Sequence, residues 1–283
     1  MNEERKPYIH VLNFSGGAQS SYLLELVLRG EIEKPRRFLV VNADPGMEGA
    51  KTEKNMRQYR ARCGEAGIDI ITAPGPNLYN DLVSYTFTGA TRLDNPPFWT
   101  KDENGKRGRL RQKCTGIYKI APMDRTVRKW MSVKHGITGG MLRPNLVERW
   151  IGFCTDEWHR CSESDVAYSK LTYPLIQLGL SKADVIAGFE RFGIPVPKRS
   201  VCSGCPFNGL DHYAKMYVEE PDSWEQAVEI DNSVEKWKAL GITECEVFVS
   251  SSLIRLRDMP AMNFGVERED MSEHHCNSGV CFL

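Results

Sequence analysis

Tyr8–Phe14 (YIHVLNF) is an apolar run short enough for one buried strand, and a Ser-Gly-Gly turn follows it at once. Over Ser20–Leu28 the residues Leu23, Leu24, Val27 and Leu28 recur at helical spacing, so strand, glycine turn and helix follow one another directly. Phe38–Ala43 and Ile68–Thr72 are two further apolar runs of strand length, and the charged stretch Lys51–Glu65 between them predicts a helix. This β-α-β-α-β rhythm predicts an α/β fold, a Rossmann-like parallel sheet with helices on both faces.

Farther along, Gly75–Gln112 loses all periodicity and gathers glycine, proline and charge, which reads as a long loop insertion at about 75–112. The helical pattern resumes over Tyr118–His135, and Val147–Phe153 predicts another strand. Ser181 opens SKADVIAGFERF with a Ser-x-x-Asp start and apolar Val185, Ile186, Phe189 and Phe192, the signature of a capped helix. From Leu210 onward the chain reads as mostly helical, most clearly over Trp224–Leu240. The pattern thus divides the chain into an α/β part, residues 1–207, and a mostly helical part, residues 208–283, that ends in a Cys-containing tail.

Composition narrows the classes. Lys+Arg and Asp+Glu are equal at 37 each, which excludes a uniformly basic nucleic-acid binder but leaves room for a local patch. Lys106, Arg107, Arg109, Arg111 and Lys113 supply one, suited to a nucleic-acid backbone or a nucleotide's phosphates, with a merely solvated loop as the alternative. No apolar run approaches the roughly 18–20 residues that span a bilayer. The start, MNEERKPYIH, lacks the apolar stretch of a secretory signal, so no membrane association and a cytoplasmic location are expected. The nine cysteines are then expected in a reducing compartment, where clustering points to metal or redox chemistry.

Two features carry candidate chemistry. Ser15-Gly16-Gly17-Ala18-Gln19-Ser20 joins a strand to a helix start and so gathers free backbone N–H groups at the positive helix end, a site suited to phosphate. It is neither a Walker loop nor a dinucleotide fingerprint, and a tight turn without ligand satisfies the same pattern. The second feature is Cys202-x-x-Cys205 followed by Pro206, whose spacing lets both sulfurs reach one soft metal. Cys114 lies 88 positions earlier and could join them only through the fold. A redox dithiol is the alternative. Cys63 and Cys245 read as small hydrophobes, and burial is expected of Cys154 and Cys161 and of Trp150, Trp158, Trp224 and Trp237.

Five segments, in order, resemble the PP-loop family of N-type ATP pyrophosphatases (adenine nucleotide alpha hydrolases), specifically its phosphoadenosine phosphosulfate (PAPS) reductase-like branch. They are Ser15–Ser20, Asn42–Glu48 with Thr52, Lys113–Pro122 with Arg125, Gly152–Glu157 with Arg160, and the closing stretch from Tyr173 to Pro206. The resemblance implies phosphates of ATP, or of a sulfonucleotide, on Ser15, Gly16, Gly17, Ala18, Gln19 and Ser20. It places the adenosine near Asp44 and Gly46, and phosphate contacts at Lys119 and Arg125. Asp156 and Glu157 would position Mg²⁺ with its pyrophosphate, or close a salt bridge to Arg160. Cys114, Cys202 and Cys205 would hold a [4Fe–4S] cluster with Cys281 or Cys276 as a further ligand, or with one iron left open, and Zn²⁺ is the alternative metal.

The implied activity is ATP-dependent adenylylation of a substrate, a nucleic-acid base or backbone, with pyrophosphate release and sulfur transfer fed by a cysteine desulfurase. Cys114, Asp156 and Arg160 would act in it. The alternative is a sulfonucleotide reductase in which Cys276 or Cys281 attacks the substrate and thioredoxin regenerates the thiol. Gln19 favours that alternative slightly, since typical relatives carry Asp there, and it also keeps open a non-catalytic sensor. The family admits a homodimer.

Overall fold

The computed structural model describes residues 8–85, 96–198 and 200–265. Five strands form a parallel sheet in the order β3-β2-β1-β6-β7: β1 (Ile9–Asn13), β2 (Phe38–Ala43), β3 (Asp69–Ala73), β6 (Val147–Trp150) and β7 (Ser169–Thr172). Val11 and Leu12 are fully buried, as are Val40 and Val41, because helices cover both sheet faces and leave no polar side for alternation. One face carries α1 (Ala18–Leu28), α2 (Ala50–Glu65) and α6 (Lys182–Phe192), packed through Leu23, Tyr59 and Phe189. The other carries α4 (Ala121–His135) through Met123, Val127 and Met131. The expected α/β fold is therefore the observed one.

Local signals set the helix ends. Ser181 Oγ accepts from the Asp184 N–H at 3.2 Å while the Asp184 carboxylate accepts from the Ser181 N–H at 2.8 Å, completing the capping box of α6. Gly193, at φ +66°, ends that helix in the left-handed region. Fully buried Phe189 adds about 1.5–3 kcal/mol by removal from water.

The stretch at 75–112, expected as a long loop insertion, carries regular elements among its described residues. It holds α3 (Leu78–Ser84) and a hairpin of β4 (Trp99–Lys101) and β5 (Arg107–Arg109). A third strand, β8 (Glu246–Phe248), pairs antiparallel with β4, so the C-terminal part is not purely helical. Its helices α7 (Leu210–Glu219) and α8 (Pro221–Glu235) pack Tyr213, Trp224 and Ile230 into one core with Leu82 and Phe98 of the insertion. Insertion and C-terminal part are thus built on each other, a long-range pairing that local periodicity cannot reveal. A short helix, α5 (Pro174–Gln177), follows β7. No helix among the described residues is long and apolar enough to cross a membrane.

Candidate functional site

The glycine turn lies at the carboxyl end of β1, where the neighbouring strands run off to either side: the chain goes outward through β2 and β3 and returns to β6 on the opposite flank. In open parallel sheets that crevice is where ligands bind. Gly16 adopts φ +76°, which other residues reach only under strain, and a Cβ there would meet Met56 and Thr52 at 3.2 Å. The Ser15 and Ser20 hydroxyls lie 3.0 Å apart, and Ser20 Oγ donates to Gly17 O at 3.3 Å, closing the turn on itself. From α2, Asn55 Nδ2 donates to Gly16 O at 2.7 Å. From behind, Gly152 presses so close that a Cβ would lie 2.8 Å from the Ser20 nitrogen. Two separate segments, α2 and the stretch at Gly152, therefore hold the turn.

Beside it opens a cavity of about 310 Å³ lined by Ser15, Asp44, Glu48, Arg57, Lys119 and Ser200, among others. Of the residues expected to hold a nucleotide, Ser15, Asp44 and Lys119 face this cavity. Asp44 also accepts from the Gly46 N–H at 2.7 Å, and Gly46 packs so tightly on Asn77 that a Cβ would stand 2.2 Å from its amide. Gly46 thus shapes the loop after β2. Ala18, Gln19 and Ser20 form the helix start, and Arg125 is exposed on α4, outside the cavity lining. Sequence reasoning placed Thr52 and Ser200 in matching segments without giving them a role, and missed Arg57 and Arg60. The available signal was the four-residue spacing of Thr52, Met56 and Arg60, which puts a polar, an apolar and a cationic side chain on one face of α2.

Glu48 organises the far wall. Its carboxylate accepts from Lys119 Nζ at 3.2 Å and from Ser200 Oγ at 2.9 Å, and its backbone forms an antiparallel bridge with Cys202. The Ser203 N–H donates to Met47 O at 2.9 Å, so the Cys202–Cys205 turn is seated directly on the loop after β2. Cys205 N–H donates to Cys202 O at 3.1 Å, closing that turn. Cys114 is brought to the same corner, near enough to Cys202 for that sulfur to raise the pKa of Cys114. Burial is the larger cause and pushes Cys114 up to about 11 and Cys202 up to about 12, while Lys119 works against it at both. Burial opposes the Lys119 charge, but Cys202 and Glu48 more than offset it, so the ammonium is retained.

The fold thus gathers Cys114, Cys202 and Cys205 at one corner, and soft thiols suit a thiolate-bound metal. Their placement does not complete such a site: among the described residues no group of three or more His, Cys, Asp or Glu side chains is arranged to hold a metal ion. Cys276 and Cys281 lie outside the described residues.

On the other flank, in the turn after β6, Asp156 and Glu157 separate. Asp156 is exposed and accepts from the Lys182 N–H at 2.6 Å, at the start of α6. Glu157, only 5% exposed, is the carboxylate that reaches the glycine turn: Gln19 Nε2 donates to it at 3.1 Å. Arg160, 8% exposed, pairs with Glu157 and lies 4.3 Å over the Phe153 ring. Two expectations of burial fail here. Trp158 is 71% exposed and Cys161 is exposed, because this short turn directs Glu157 and Arg160 inward and its other side chains to solvent. Trp150, Trp224, Trp237 and Cys154 are buried as expected.

Fold and site together define an α/β protein with a glycine turn at the carboxyl edge of a parallel sheet, next to a polar cavity and a three-cysteine corner. No protein-family model matches the chain, and a search of the curated proteins finds no match. Among solved structures it is similar to the U34-tRNA thiolase NcsA from Methanococcus maripaludis with its [4Fe–4S] cluster, over 95% of this chain and 84% of that one, at 13% identity and a TM-score of 0.40. A likeness at that level says nothing about chemistry here.

Proposed function

We propose that the chain is an ATP-dependent enzyme of sulfur chemistry that adenylylates an acceptor and delivers sulfur to it. The observation that carries this reading is the junction at Glu48 and Lys119. Lys119 lines the cavity beside the glycine turn, and Glu48 ties it to the backbone of Cys202, so a nucleotide on the turn and the cysteine corner share one wall. ATP would lie with its phosphates at Ser15–Gly17 and its adenosine toward Asp44. An acceptor oxygen attacks the α-phosphorus, the bond to the β-phosphate oxygen breaks, and pyrophosphate leaves with its charge met by Lys119 and the helix end. A persulfide formed on one cysteine of the Cys114, Cys202 and Cys205 corner, its outer sulfur supplied by a cysteine desulfurase, then attacks the activated atom and displaces AMP with the acceptor oxygen. A neighbouring thiol of the corner attacks the inner sulfur, releases the thiolated product and leaves a disulfide that an external dithiol reduces.

An iron–sulfur cluster, or zinc, at this corner stays a separate proposal. The thiols suit it, the arrangement described does not complete it, and no step above depends on it. Iron, sulfide and zinc content of protein purified without oxygen, compared with Cys202→Ser, tests that point. The activity is tested by pyrophosphate release on mixing with ATP and candidate acceptors. Release that persists in wild type and falls at least tenfold in Lys119→Met supports the reading. Thioredoxin-dependent sulfite release from an adenylylated sulfate, without pyrophosphate release from ATP, would transfer it to the sulfonucleotide reductases.

A further inference from the structure

The β4–β5 hairpin presents a cationic outer face. Trp99 stands opposite Arg109 and Lys101 opposite Arg107, so these four side chains share one side of the ribbon. Thr100 and Gly108 take the other side, where Thr100 is buried. Lys101, Lys106, Arg107, Arg109 and Arg111 are all exposed, and among the described residues none of them pairs with a carboxylate. The acids nearby are engaged: Asp102 accepts from the Asn104 and Lys106 N–H groups at 2.9 and 2.8 Å, and Glu103 lies 3.6 Å from Lys238. On β8, Glu246 opposite Lys101 adds one exposed carboxylate at the margin.

The two arginines are also stacked. The Arg107 guanidinium lies 4.1 Å over the Trp99 ring, and that of Arg109 lies 5.6 Å from Trp99 and 5.1 Å over Phe207. Stacking fixes the guanidinium plane while its N–H donors remain free of carboxylates, which lowers the entropy lost on gripping a phosphate. Alternate residues on a strand are roughly 6.6 Å apart, a spacing comparable with that of successive phosphates along an extended polynucleotide. The hairpin is fastened to the cysteine loop itself, since the Trp99 indole N–H donates to Pro206 O at 3.0 Å and Phe207 follows directly.

We propose that this hairpin is the docking surface for a single-stranded nucleic acid, whose backbone phosphates lie on Arg107 and Arg109 and lead the strand to Cys114 and the Cys202–Cys205 turn. A single strand is favoured over a duplex because a base must leave its stack to reach that half-buried corner. The reading of the corner as the place of modification comes from the proposed function, whereas the docking can be tested without ATP.

Fluorescence anisotropy with labelled dT20 and rU20 over a salt series measures it on the full chain. Wild type binds, and Arg107→Gln/Arg109→Gln binds at least tenfold more weakly, with a salt slope smaller by about 1.4, or roughly 0.7 per lost phosphate contact on a single strand. Lys106→Gln/Arg111→Gln, which leaves the Trp99 stack intact, weakens binding in the same sense and guards against misfolding. Unchanged affinity and slope in both variants overturn the proposal. So does polyglutamate competing equally at equal charge, which would point to an acidic protein, or a preference for duplex. ATP affinity by calorimetry is read separately. If it is absent while oligonucleotide binding persists, the proposed function fails and the docking surface stands.

Discussion

Replacing Glu157 with alanine is expected to be among the most damaging single changes at this site. The carboxylate is buried with Arg160 as its partner, and it also takes the Gln19 amide at 3.1 Å. Lys182, at 3.9 Å, is 40% exposed on its side chain and adds little, as surface pairs do. Removing one member of a buried pair strands the other charge away from water, which costs about 3–5 kcal/mol. At about 2–4 °C per kcal/mol for a chain of this size, melting should fall by on the order of 10 °C. Urea unfolding and thermal melting of Glu157→Ala, Arg160→Met and the double variant form the assay. The double variant should recover most of the loss, since it removes both charges together. A single variant melting within about 2 °C of wild type, or a double variant showing the two losses simply added, would refute the claim that the pair is buried and coupled. Calorimetry with ATP adds a second readout, because Gln19, no longer anchored, should hold the helix start less well and weaken binding.

Three further outcomes follow from the geometry. Lys119→Met should weaken ATP binding at least tenfold, the scale of one lost charged hydrogen bond, while the fold survives; calorimetry with an unchanged Kd would remove Lys119 from the phosphate site. Gly152→Ala should displace the glycine turn, because its Cβ would meet the Ser20 nitrogen at 2.8 Å, and a variant with wild-type ATP affinity would show that the turn does not bind phosphate. Burial raises the pKa of Glu25, but hydrogen bonds from Arg62, Tyr59 and Arg29 outweigh it, so the net shift is downward. A lowered folded-state pKa contributes stability that is present above the unfolded carboxylate value near 4.3 and is lost as pH falls through the folded value. Glu25→Gln should therefore be less stable than wild type by about 2 kcal/mol at pH 7, with the gap closing below about pH 4 in urea unfolding, and a gap independent of pH would contradict this.

The first half of the sheet was legible because its strands and helices are local. Phe38–Ala43 is found as read, and α1 and α2 start within two residues of the expected positions. What could not be read depends on pairing at a distance. β4, β5 and β8 are three residues each, too short for periodicity, and they form a sheet only because residues 99–109 meet residues 246–248. β7 escaped for a similar reason: Ser169–Thr172 has one apolar residue in four, and its place comes from pairing with β6. Of the site, Ser15, Asp44 and Lys119, expected from the sequence as nucleotide contacts, line one cavity, whereas Arg57 and Arg60 were read only as part of a charged helix because nothing local showed which face α2 turns inward.

Gln19 gains its meaning from such a distant contact. Read alone, it departs from the Asp that the resemblance implies, slightly favours a sulfonucleotide reductase and keeps a non-catalytic sensor open. In the fold its amide faces Glu157, a buried carboxylate supplied 138 positions later from the turn after β6. A carboxylate accepts hydrogen bonds and cannot donate them, so the residue opposite Glu157 must offer an N–H. An Asp at position 19 would set two like charges about 3–4 Å apart, a repulsion on the order of 4 kcal/mol at an effective dielectric of 20. The negative charge beside the glycine turn is therefore supplied from the facing loop, by Glu157. There Arg160 holds it in place, and the neutral side chain at position 19 is the one that arrangement requires.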